Sequence, residues 1–117
     1  MNFEIQDKEK YTLITSNVEK LDTAVAPELK SEVVLLDKSG KHSFVIDLSN
    51  TRYCDSSGLS ALLVANRLSK KGNGIMVLTG LQPSVTKLIQ ISQLHTVLNI
   101  VPSIDEAAGF LASEKGE

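Results

Sequence analysis

The chain has 117 residues, a formal charge of −2, one cysteine, two histidines and no tryptophan. That length suits a single domain over 1–117, and its 42% hydrophobic content can supply a core. Cys54 alone excludes an internal disulfide, and with only His42 and His95 beside it a zinc cluster lacks ligands, so no metal or cofactor is implied. Few aromatic rings and no long run of Lys or Arg argue against nucleic-acid binding. The N-terminus lacks a charged-then-apolar signal and no apolar run approaches membrane-spanning length, so the expectation is a soluble cytoplasmic protein with no membrane contact.

In chain order, "NFEIQ" alternates, with Phe3 and Ile5 on one face, and predicts a short strand. "DKEK" is a polar turn, and "YTLITSNV" is rich in Thr, Ile and Val, so the two strands make an antiparallel hairpin. "EKLDTAVAP" is an irregular link into a helix opened by Pro27, with Leu29, Val33 and Leu36 at helical spacing and Gly40 as its stop. "SFVIDL" and "IMVLT" are unalternated apolar runs, the signature of buried parallel strands. Between them lies a helix that Lys70, Lys71 and Gly72 close. Pro83 opens a third helix with Val85, Leu88 and Ile89 inside, "HTVLNIV" is a last strand, and Ser103 with Glu106 forms a capping box for a final helix. The order β-β-α-β-α-β-α-β-α predicts an α/β fold with a mixed, mostly parallel sheet and about four helices.

The chemistry centres on "CDSSG", Cys54 to Gly58, at a strand-to-helix junction. One reading is a helix cap, since a Ser hydroxyl or the Asp55 carboxylate satisfies orphaned backbone N–H groups. Three such residues in a row exceed that need. A second reading is a nucleophile elbow, but Cys54 stands where that pattern needs glycine and no Gly-rich oxyanion segment precedes it. A third is a switch. A hydroxyl at a helix N-terminus accepts a phosphoryl group, gaining about −1.5 to −2 charges, which free N–H groups at the helix start could hold. On this reading Gly58 leaves space beside the hydroxyl for a kinase or partner.

The segment "IDLSNTRYCDSSGLSALLVA" resembles the phosphorylation-site segment of bacterial anti-sigma factor antagonists of the STAS domain family. "VEKLDTAVAPEL" resembles the family's G-E-L-D segment, and "GIMVLTGLQPSVTKLIQISQL" its fourth strand and third helix. The resemblance implies the STAS fold, with Ser56 as the phosphorylated residue, Ser57 starting the helix, and Asp22 and Asp55 beside the acceptor. It implies a binding protein rather than an enzyme, whose unmodified form binds an anti-sigma factor that is also a serine kinase and so frees a sigma factor. A metal-dependent serine phosphatase would reset it. The partner surface expected from this is Asp22, Thr23, Asp55, Ser56, Ser57, Gly58, Leu59 and Leu63. The rival role within the same family is an accessory subunit of a transporter or lipid-trafficking complex. The chain departs from the family pattern at Val18 and Gln93, where the family has glycine, and at Lys20, an insertion.

On a helical wheel Ala61, Leu62, Ala65 and Leu68 cluster on one side and Asn66, Arg67, Lys70 and Lys71 on another, with Leu59 and Leu63 toward the polar side. Either the helix is packed by both the sheet and a neighbouring helix, or this leucine pair touches a partner. His42 and His95 read as surface residues and Cys54 as a small apolar one. Asp47 and Asn50 read as loop formers at the strand edge where ligands collect.

Overall fold

The computed structural model describes residues 1–114. Its sheet runs in the order β1(Phe3–Asp7), β2(Thr12–Ser16), β4(Phe44–Asp47), β6(Met76–Thr79), β7(Asn99–Val101), with β1 antiparallel to β2 and every other pair parallel. This is the architecture expected from the alternating elements. Two further strands, β3(Lys20–Leu21) and β5(Tyr53–Cys54), pair in parallel as a separate ladder. They fall in segments that read as irregular links, because two residues show no periodicity. Lys20 becomes the first residue of β3.

The sheet is covered on both faces, which is why β4 and β6 show no alternation. Leu13, Val45 and Val77 meet Ala107 and Leu111 of α4(Ile104–Glu114) on one face. On the other, Ile14, Phe44, Ile46, Met76 and Leu78 meet α1(Ala26–Lys38), α2(Ser56–Lys71) and α3(Pro83–Ile91) through Leu29, Val33, Leu62, Val85 and Ile89. The Ser103 hydroxyl caps α4 by accepting the Glu106 N–H at 3.3 Å.

Three expectations shift. Phe3 is buried but Ile5 is exposed, since the edge strand β1 runs past the core. The last strand starts at Asn99, because Leu94–Thr96 form a single 3₁₀ turn. That turn is entered through Gln93 at φ 61°, so it closes in the left-handed form that glycine favours, without glycine. Asn66, placed among polar residues on the wheel, is buried, since α2 packs against α1 as well as the sheet.

Candidate functional site

The loop carrying the serines is fixed before α2 begins. Thr51 is fully buried; its hydroxyl donates to the Val18 carbonyl at 2.8 Å and accepts from the Ser16 hydroxyl at 2.7 Å. The Arg52 and Tyr53 N–H groups both donate to the Glu19 carbonyl, at 2.8 and 3.1 Å, and the Asp55 N–H reaches the Leu21 carbonyl at 3.3 Å. Residues 51–55 are thus zipped onto 18–21. This ladder is what brings Asp22 and Thr23, distant in sequence, to the start of α2.

Asp55 is the helix cap. Its backbone is extended, and its Oδ1 accepts the N–H groups of Ser57 at 2.9 Å and Gly58 at 3.0 Å. The helix therefore starts at Ser56, one residue earlier than expected. The Ser57 hydroxyl is held by the Thr23 hydroxyl at 3.0 Å. Ser56 differs: it is exposed, and its hydroxyl has no hydrogen-bond partner among the described residues. Of two adjacent serines, one is tied and one is free. Asp22 is half-exposed and turned inward to its own loop, its Oδ1 accepting the Ala24 N–H at 3.0 Å and its carbonyl the Ala26 N–H at 2.8 Å.

The reason expected for Gly58 is corrected by its position. A Cβ there would meet the Leu21 carbonyl oxygen, and would lie 2.8 Å from Cys54 Sγ and 2.9 Å from Leu21 Cγ. The missing side chain faces the interior and lets the first turn of α2 sit on β3; it does not open room beside the hydroxyl. Two of the donors expected to be available for a phosphate, the Ser57 and Gly58 N–H groups, are also occupied by Asp55. Leu59 is 8% exposed and Leu63 is half-buried against the core, so α2 is packed on both sides and Leu59 offers a partner little surface. Tyr53 on β5 is 49% exposed and adjoins the motif. Its signal in the sequence was its place as the one aromatic residue beside "CDSSG".

Burial, and secondarily the Asp55 charge, push the Cys54 thiol up to about 11, so it is a poor nucleophile. Both histidines lie at the far end of the molecule. His42 packs against Gly72 and Gly74, beyond the C-terminal end of α2, and its Nε2 bonds Asp37 Oδ1 at 2.9 Å, so it is half-buried rather than a plain surface residue. With 16 residues at roughly 1.5 Å each, α2 separates it from Ser56 by about 24 Å. His95 lies in the turn that feeds the start of β7, parallel to β6 and thus at the edge opposite Ser56. Neither can serve Ser56 as a base. Among the described residues no group of three or more His, Cys, Asp or Glu could hold a metal ion.

A cleft of about 290 Å³ also lies at that far end, lined in part by Lys41, His42, Gly72 and Gly74. Two of the charged groups that line it pair with each other. Lys41 Nζ sits 2.8 Å from Asp7 Oδ2, and its hydrogen bond and charge hold that carboxyl below its usual range. Neither this cleft nor the two on α1 and beside α4 is lined by Ser56.

Known proteins share this fold. A Bordetella bronchiseptica protein named as an anti-sigma factor antagonist, BtrV, is 28% identical over 75% of this chain and 76% of its own length. The Bacillus cell-fate determinant SpoIIAA, solved in its phosphorylated form, superposes with a TM-score of 0.71 at 18% identity, over 92% of this chain and 96% of that one. The same fold recurs in the murine anion transporter Slc26a9, with a TM-score of 0.75 at 19% identity, over 92% of this chain but 18% of the transporter. No helix among the described residues is long and apolar enough to cross a membrane. With the family model for the STAS domain matching residues 2–107, on a sheet and helix order of that fold, the chain belongs to the STAS domain family.

Proposed function

We propose that this protein is an anti-sigma factor antagonist controlled by phosphorylation at Ser56. The observation that carries the reading is the contrast within the serine pair: Ser56 is exposed and unbonded, whereas Ser57 is held by Thr23. In the unmodified state the surface of Asp22, Thr23, Asp55, Ser56 and Ser57 would dock on an anti-sigma factor that is also a serine kinase. Tyr53 and the exposed part of Leu63 would be its apolar contacts. The kinase moves the γ-phosphoryl group of ATP to Ser56 Oγ. The bond to ADP breaks, the new O–P bond forms, and the hydroxyl proton passes to a base on the kinase.

The consequence follows from charge. A docked partner would have to desolvate a dianion beside Asp55, a cost of several kcal/mol that exceeds a typical rim contact. Gly58 and Leu59 support this surface from within by seating the helix on Leu21. A metal-dependent serine phosphatase would restore the hydroxyl. The chain itself acts as a kinase substrate in the cytoplasm, without catalysis, cofactor or nucleic acid.

The test is incubation with the anti-sigma kinase of the same genome and ATP. One phosphate on Ser56 is expected, with Ser56→Ala remaining bound and Ser56→Asp binding poorly. Constitutive binding to a membrane-associated transporter, insensitive to phosphate at Ser56, would instead favour an accessory-subunit role. An esterase reading is disfavoured by the distance of both histidines, and labelling of Ser56 by a serine-directed phosphonate would revive it.

A further inference from the structure

We infer that Asp55 denies a phosphate on Ser56 the helix N-terminus, so that the dianion is displayed outward and poorly screened instead of being absorbed by the fold. This deepens the proposed switch and rests on that reading of Ser56. A helix start ordinarily welcomes phosphate, because its first N–H groups are unpaired and carry a partial positive charge. Here two of the three N–H groups that open the helix, those of Ser57 and Gly58, already end on one oxygen, Asp55 Oδ1, at 2.9 and 3.0 Å, which leaves a phosphate only the N–H of Ser56 itself. The phosphate and the carboxylate therefore compete for one set of donors. Both are anions on consecutive residues, whose Cα atoms stand about 3.8 Å apart, well inside the screening length of about 8–10 Å.

The surroundings offer little compensation. The ionisable groups on the elements packed around the start of α2 are Lys20 on β3 and Asp22 after it, Tyr53 and Cys54 on β5, Lys87 on α3, and Glu28, Lys30, Glu32, Asp37 and Lys38 on α1, where the acids outnumber the lysines. Arg52, next in line, already stands 3.9 Å from Glu19. From Ser56 to Ile104 the sequence carries no Asp or Glu, so Asp55 is the last carboxylate before α2 and is the cap itself. A neutral cap would do the structural work equally well, since Asn caps helices as effectively as Asp. The charge is surplus to capping. Its effect is to raise the second ionisation of a neighbouring phosphate and to keep that phosphate loose, where it repels a partner and stays reachable by a phosphatase.

The experiment uses full-length protein with phosphoserine installed genetically at position 56, so no kinase is needed. The phosphate is titrated by ³¹P NMR and the Ser57 and Gly58 amides are followed by ¹⁵N spectra. In the native background the second pKa is expected about half a unit to one unit above the value near 6 for unperturbed phosphoserine, with the two amides indifferent to the titration. In Asp55→Asn, which retains the cap, the pKa should drop to about 6 or below. A native pKa below 6, with both amides tracking the phosphate, would mean that the phosphate displaces Asp55, and would overturn the inference. Equal values in the two backgrounds would overturn it too, whether or not Asp55→Asn keeps its full stability. Failure of the kinase reaction would instead count against the function proposed above and leave this titration intact.

Discussion

The front of α2, residues 55–59, and its back, residues 70–74, are both packed through glycine. At the front Gly58 lies on the Leu21 carbonyl and Cys54; at the back Gly74 lies on the His42 carbonyl and Gly72 on the His42 ring. What differs is where the polar groups go. Around the back they pair with one another, Lys41 with Asp7 and His42 with Asp37, although a cleft of about 290 Å³ is there. At the front the helix is sealed beneath and left open above, with one hydroxyl free. On the function proposed above, the switch lies not at the cleft but on a rigid seat with one unspent group on its outer surface.

The comparison can be broken by filling either glycine. Gly58→Ala and Gly74→Ala place a methyl against backbone that cannot yield, and each should cost about 3 kcal/mol in urea unfolding. Gly72→Ala meets only the His42 side chain, which can swing away from Asp37, so about 1 kcal/mol is expected. Equal costs for Gly72 and Gly74 would contradict the distinction between yielding and unyielding neighbours. The seal at the front can be read a second way. With its thiol raised from 9.0 to about 11, Cys54 should have about 100-fold less thiolate at pH 8 than an unperturbed cysteine, and iodoacetamide labelling should be slow in proportion. Rapid labelling in the folded protein would show the front to be loose.

Thr51→Val removes the buried hydroxyl that joins Ser16 to Val18 while keeping the shape. About 2 kcal/mol should be lost in the same assay, because the Val18 carbonyl is left unpaired and the Ser16 hydroxyl loses its acceptor. The smallest effect lies away from α2. Gln93→Gly relieves a left-handed residue, partly offset by the greater freedom of an unfolded glycine, so stability should rise by about 0.5 kcal/mol.

The long elements were legible because burial imposes a period. Phe44 to Ile46 and Met76 to Leu78 run apolar since both sheet faces are covered, and α3 shows its inner face at Val85, Leu88 and Ile89. The Ser56 motif stood out because it carries more capping groups than one helix start requires. What remained hidden depends on contacts between distant residues. The β3–β5 ladder is two residues long, the grip of Thr23 on Ser57 joins residues 34 apart, and Leu59 is buried in the core of a helix that packs on α1 as well as the sheet. The role of Gly58 was misread for the same reason, since its missing Cβ faces Leu21, a neighbour no local pattern names.

The measurement that bears most directly on the switch compares unmodified protein with the same protein carrying phosphoserine at 56. Each is titrated calorimetrically against the anti-sigma kinase of its own genome and melted alone. The account expects affinity to fall at least 100-fold while the melting temperature moves by no more than about 3 °C. Undiminished affinity, or a loss of affinity accompanied by collapse of the fold, would contradict it.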